Sequence, residues 1–327
     1  MKEKIDKGDL YLLKEHSSLS DIQLGELLEQ KSYANLTDWQ KFAKYFTLIL
    51  GAGLFVSGIV FFFAYNWADL DKNIKFLLVF GLLAICVGGS VYPKFSTLIK
   101  QISLLSASVL VGVLFAVFGQ VYQTGANAYD LFFMWVLAVT PWTLLNKFSA
   151  HWLFYAVLAN TTLILYYTQL REEDELFFSV LFMLLLNIAL YVIPVLLGKF
   201  FNYTVARYYT ALVTFASIAL ATAGVVMYIF LSTDQYIRAD ISGLYYLVVV
   251  SILWLVGSFL WGRKTKDLLV FSYIYLALFA IVFAVLIKIA DFNEAALLLY
   301  ALYTIGGTFA IVKLIMNQKK LWNNEQE

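Results

Sequence analysis

The side chains with the clearest capacity for chemistry gather in one short stretch, Gly119-Gln120-Val121-Tyr122-Gln123-Thr124-Gly125-Ala126-Asn127-Ala128-Tyr129-Asp130. Gln120 and Gln123 are spaced i, i+3 and share a helix face, and Asn127 continues that stripe if the helix persists. Asp130 adds a carboxylate, and Gly125 lets the chain turn without steric cost. A second polar exit, Asn66-Trp67-Ala68-Asp69-Leu70-Asp71, falls at the same membrane depth and on the same side in the topology argued below. Together Asn66, Asp69, Gln120, Gln123, Asn127 and Asp130 form a candidate polar pocket, with Trp67, Tyr122 and Trp135 as aromatic lining. An oxygen-rich pocket of this kind suits a sugar, an amine or a cation. The competing reading assigns the same residues to helix caps, interhelical hydrogen bonds and an interfacial aromatic belt.

Other chemistry is poorly represented. The sequence has no H-E-x-x-H, no P-loop, no G-x-S-x-G and no cysteine–histidine pair, so an enzyme is not expected. Two histidines (His16 and His151) and one cysteine (Cys86, inside an apolar run) cannot furnish a metal centre or an intramolecular disulfide. No metal and no cofactor are expected, and Cys86 reads as a small apolar side chain. Glu172 to Glu175 form an acidic run beside Arg171, either a solvated turn or a weak divalent-cation site. A net charge of +1 gives no field that would favour nucleic acid.

The elements that must position these residues follow from composition. The 327 residues are 62% hydrophobic and 14% charged, against about 45–50% and about 25% in soluble domains. Only lipid as solvent tolerates such a surface without aggregation. Apolar runs of spanning length follow one another: Phe46–Tyr65, Ile74–Tyr92, Ile102–Val121, Leu131–Leu145, Trp152–Tyr167, Leu176–Leu197, Tyr209–Leu231, Ile241–Trp261, Leu268–Ile287 and Ala295–Met316. They lack strict alternation and exceed barrel strands in length, which leaves helices. The predicted fold class is all-α: a polytopic transmembrane helical bundle of about ten spans with a small cytoplasmic amino-terminal helical segment. Residues 1–44 form that segment, 45–316 the bundle and 317–327 a cytoplasmic tail.

Basic residues orient the bundle. With the amino end inside, only Lys72, Lys75, Arg171, Arg238 and Lys288 fall outside, five of 23. Cationic flanks are retained in the cytoplasm, so both termini are expected there and the protein in the inner, cytoplasmic membrane. The runs Leu131–Leu145 and Trp152–Tyr167 are short, and a re-entrant hairpin is the alternative to two full spans. No Asp, Glu, Lys or Arg lies mid-run, which disfavours a proton relay. In the amino-terminal segment, Ser20-Asp21-Ile22-Gln23 and Thr37-Asp38-Trp39-Gln40 both fit a capping box.

Phe62-Phe63-Ala64-Tyr65-Asn66-Trp67, and Gly119-Gln120-Val121-Tyr122-Gln123-Thr124-Gly125 with Trp135 and Pro141-Trp142 downstream, resemble the predicted membrane proteins of domain of unknown function 2157. The resemblance covers about residues 8–145 by motif. It implies a bacterial multi-pass membrane protein and supplies no activity, substrate or catalytic residue. The functional expectation is a transporter or small-molecule-binding membrane protein with an outward-facing polar pocket. The alternative is a non-catalytic sensor or scaffold that docks a cytoplasmic protein partner through residues 1–40. In either case the lipid bilayer is the first partner.

Overall fold

The computed structural model describes residues 20, 22–23, 36–66, 69–171, 176–232, 241–290 and 294–324. Among the described residues ten long helices follow one another and no strand occurs: α1 Leu36–Asn66, α2 Lys72–Val91, α3 Thr97–Tyr122, α4 Ala128–Asn146, α5 Ser149–Leu170, α6 Leu176–Phe200, α7 Arg207–Leu231, α8 Ile241–Thr265, α9 Leu268–Ile289 and α10 Glu294–Asn324. The helices α2, α3, α4 and α6 to α10, eight in all, are long and apolar enough to cross a membrane. Large apolar side chains stay exposed along them, Leu77, Ile85, Leu253, Ile305 and Phe309 among others. The protein is a multi-pass helical membrane protein, and these faces meet lipid.

The chain divides into two compact units, 1–75 and 76–327. In the first, the capping box at Ser20 is formed: the Gln23 amide donates to Ser20 Oγ at 3.3 Å, and the Ser20 amide donates to Gln23 Oε1 at 3.0 Å. Residues 24–35, which follow this box, lie outside the described residues. The second box is absorbed. Helix α1 already starts at Leu36 and runs 31 residues to Asn66, about 46 Å at helical rise. No Gly or Pro lies between Leu36 and Gly51 to stop it, so the step expected at residue 44 falls inside a continuous helix. Its exposed opening carries Trp39, Phe42 and Phe46 as a ladder of rings, each 5.9 Å from the next.

In the second unit, consecutive helices reverse through tight turns. Gln123, Lys147, Asn202 and Lys266 all adopt left-handed φ of 44° to 52°, the conformation that ends a helix and turns the chain back. Helix α7 is the hub: it packs against α6, α8 and α9 and touches α5. Lipid gives helices no hydrophobic reason to associate, so close backbone approach has to supply the contact. The buried stripe Thr214, Ser217, Ala221 and Gly224 permits it. A Cβ on Gly224 would lie 2.5 Å from Ser251 Oγ of α8, and Trp254 Nε1 of α8 donates to Ser217 Oγ at 3.0 Å. A second cluster, Val111, Val139 and Leu158, knits α3, α4 and α5. Helix α10 packs on α9 through stacked rings, Phe279 on Tyr303 at 4.8 Å.

The two short runs lengthen on folding. Helix α4 has 19 residues and α5 has 22, about 28 and 33 Å, joined at Lys147-Phe148. Helix α5 is not among these eight helices, and it carries His151, Asn160, Thr161 and Thr162. Thr161 and Thr162 bond carbonyls of α5 itself, while Asn160 bonds both its own helix and a neighbour. Asn187 Nδ2 of α6 donates to Asn160 Oδ1 at 2.7 Å, and Asn160 Nδ2 donates to the Ala156 carbonyl at 2.8 Å.

Pro194 lies inside α6. A proline has no N–H, so the Leu190 carbonyl four residues earlier loses its helical donor. The fully buried Tyr209 of α7 fills the gap, its hydroxyl donating to the Leu190 carbonyl at 2.6 Å. Tyr209→Phe strands that acceptor and is expected to destabilise the protein by about 1–3 kcal/mol. In a Pro194→Ala background, where an amide can bond Leu190 again, the same change is expected to cost clearly less. Thermal unfolding of purified single and double variants measures that coupling, and equal costs in both backgrounds would refute the account.

Candidate functional site

Helix α3 ends where its sequence turns polar. Gln123 takes the left-handed cap position and its amide donates to the Gly119 carbonyl, while the Thr124 amide also reaches that carbonyl, at 3.4 Å. Gly125 follows with φ 65°, and Asn127 opens α4 as its N-cap. The helix therefore does not persist to Asn127, and the expected stripe of Gln120, Gln123 and Asn127 is broken. Gln123 turns into an exposed cap, while Gln120 and Asn127, before and after the turn, both line one cleft.

That turn roofs an open cleft of about 660 Å³. Gln120, Asn127 and Asp130 line it together with Thr124. Its other walls are apolar: Phe76 and Phe80 of α2, Phe115 and Phe118 of α3, Leu131 and Met134 of α4. The same cleft thus offers amides, a hydroxyl and a carboxylate beside aromatic faces. Asp130 is partly spent as a cap, since its Oδ2 accepts from the Asn127 amide at 3.0 Å. A carboxylate in the first turn is favoured by the helix dipole, and its second oxygen remains available to a ligand's hydrogen-bond donor.

The remaining candidates are placed elsewhere. Tyr122 is exposed, and its ring lies tilted 4.7 Å from Phe118 and 6.0 Å from Phe76, two of the cleft's wall residues. Trp135 does not line the cleft. Its ring fills the space beside Gly112, where a Cβ would come within 2.3 Å of it, and its Nε1 donates to the Ser108 carbonyl at 2.7 Å. Asp69 is an exposed turn residue of the first unit. The Asn66 side chain, Trp67 and the acidic run Glu172 to Glu175 lie outside the described residues.

A second polar cluster was not anticipated from the sequence. His151, fully buried, has Nε2 3.0 Å from Ser108 Oγ and Nδ1 2.6 Å from Asn146 Nδ2. Asn146 Nδ2 also donates to the Gln101 carbonyl at 3.1 Å, and Gln101 Nε2 returns to the Asn146 carbonyl at 3.3 Å. The protons can be assigned by elimination. Turning the Asn146 amide over would set its oxygen against the Gln101 carbonyl, two acceptors opposed, so its nitrogen donates to both neighbours. His151 Nδ1 is then the acceptor and Nε2 carries the proton, donated to Ser108 Oγ. The Ser108 hydrogen in turn goes to the Leu104 carbonyl at 3.0 Å.

A serine nucleophile needs the reverse arrangement, with histidine receiving the hydroxyl proton. This cluster is a clasp that ties the α4–α5 turn to α3. The clue available in the sequence was the polar link Asn146-Lys147-Phe148-Ser149-Ala150-His151 between two short runs. His151→Leu leaves Asn146 and Ser108 short of a partner and is expected to lower stability by about 1–3 kcal/mol. Unfolding of the purified variant checks this, and an unchanged midpoint would count against the clasp.

No curated protein and no solved structure matches the chain. A family model described as predicted membrane protein, domain of unknown function 2157, matches residues 13–152. The matched stretch includes both faces of the α3–α4 turn and ends within the first turn of α5. The family to which residues 13–152 of this chain are similar is therefore that of the predicted membrane proteins with domain of unknown function 2157.

Proposed function

We propose that the protein is a non-catalytic, small-molecule-binding membrane protein, and that the cleft at the α3–α4 turn takes an amine-bearing amphiphile. The observation that carries this reading is that one cleft is lined both by polar side chains (Gln120, Asn127, Asp130) and by aromatic rings (Phe76, Phe80, Phe118). A lone carboxylate attracts a cation, aromatic faces add cation–π attraction, and the apolar wall suits a hydrocarbon tail. Carriage of the same ligand across the membrane is the stronger form of this proposal. Sensing or scaffolding through residues 1–40 is the alternative.

The proposed setting is a bacterial cytoplasmic membrane, with all ten helices spanning and both termini inside. The distribution of charge supports it: the turns at Lys94, Lys147 and Arg263 to Lys266 lie at one end of alternating helices, and cationic ends stay cytoplasmic. The cleft, at the opposite end of α3, would then face outward.

Two measurements test this reading. The purified protein is titrated with alkylamines of increasing chain length, following thermal stabilisation. Asp130→Asn, which keeps a cap acceptor but removes the charge, is expected to weaken the response about tenfold or more, whereas Gln123→Ala is expected to leave it unchanged. Equal weakening by both, or none by either, would refute the pocket. For orientation, a cysteine replacing Lys266 in a Cys86→Ala background should resist a membrane-impermeant maleimide in intact cells and react after permeabilisation. Labelling in intact cells would invert the topology.

A further inference from the structure

A second opening lies among α6, α7, α8 and α9, far along the chain from the cleft. It is a groove of about 340 Å³ whose walls are almost wholly apolar, with Tyr191 and Val195 on α6 and Trp254 and Trp261 on α8. Gly257 sits between the two tryptophans, and a Cβ built there meets nothing within 4 Å. The missing side chain therefore leaves the groove open along α8. One charged residue lines it, Lys199, which shares a face of α6 with Tyr191 and Val195 at i, i+4 and i+8. Lys199 is exposed in the last turn of its helix, where a long cationic side chain reaches the headgroup layer.

The charge around the mouth is one-sided. Arg263 and Lys264 close α8 at the same end of the bundle, and Lys147 reaches the turn after α6, its Nζ donating to the Phe201 carbonyl at 3.4 Å. Among the described residues of these turns the one carboxylate is Asp267, and it is already engaged. Its Oδ1 accepts from the Leu269 amide at 3.0 Å, and Arg207 lies 3.7 Å away. An apolar slot between helices, capped by a cation in a basic rim, has the chemistry of an anionic phospholipid site: acyl chain in the slot, phosphate at the lysine.

We infer that the groove beside Gly257 holds an acyl chain of an anionic phospholipid whose phosphate is bound by Lys199. The site is separate from the α3–α4 cleft and does not depend on its ligand. The test uses purified protein in phosphatidylcholine nanodiscs, doped with phosphatidylglycerol carrying brominated chains, which quench nearby tryptophans. Phosphatidylglycerol is expected to raise the unfolding temperature and quench Trp254 and Trp261, and the quenching should shrink in Trp254→Phe/Trp261→Phe. Lys199→Gln should weaken the apparent affinity for phosphatidylglycerol about fivefold without altering stability in pure phosphatidylcholine. Gly257→Leu, which fills the slot with a better helix former, should remove the quenching while Lys199 remains in place. Equal responses to brominated phosphatidylcholine, or an unaltered response in either Lys199→Gln or Gly257→Leu, would overturn the assignment. So would the same stabilisation from glycerol phosphate alone, since the slot would then play no part.

Discussion

Hydrocarbon accepts no hydrogen bonds, so the polar groups that this sequence sends into the bundle depend on their own helix or on another one for partners. The Leu190 carbonyl, deprived of its donor by Pro194, shows how strict the requirement is. A fully buried tyrosine from the next helix meets it. The Asn160–Asn187 pair and the His151 clasp obey the same rule, each adding bonds between helices to those made within one. Ser251 Oγ is an exception, buried without a hydrogen-bond partner among the described residues. It sits where α8 comes closest to Gly224 of α7, so close packing has been kept at the expense of a hydrogen bond.

This rule also sorts polar residues into structural and available ones. A side chain whose donors and acceptors are consumed within the bundle has nothing left to offer a ligand. Ser108, His151 and Asn146 belong there in spite of an order that resembles a nucleophilic triad, because the direction of the protons runs from histidine to serine. Gln120, Asn127 and Asp130 also have partners, but they sit differently. They are exposed around a turn rather than buried in a seam, and they face a cleft with aromatic walls. The α6–α9 groove with Lys199 inverts those proportions, being nearly all hydrocarbon with one cation.

Small residues decide where such openings form. Gly112 and Gly224 each admit a large neighbour: the ring of Trp135 fills the space beside the first, and Leu247 and Ser251 that beside the second. Those contacts close the α3–α4–α5 and α6–α9 clusters. Gly257 has no neighbour in the space a Cβ would take, and a groove results. The same residue type thus seals one helix pair and opens another, according to what the facing helix presents.

Residue order alone determined the broad class. Apolar length and low charge require helices in lipid, and each expected run falls on one helix, although α1 begins ten residues before its run and α10 ends eight after, because hydropathy marks the part that lies in hydrocarbon and not where the helix stops. The polar turn between α3 and α4 was legible too, since glycine, amides and an aspartate mark the end of one helix and the cap of the next. Only the tertiary structure decided which of those side chains meet. Helix α3 ends at Tyr122, which moves Gln123 off the expected stripe, and Trp135 turns toward Gly112 instead of the cleft. The His151 clasp and the Tyr209–Leu190 bond join residues 43 and 19 positions apart. Periodicity within one helix carries no information about which face of another helix will lie opposite it, and that opposition is what makes a site.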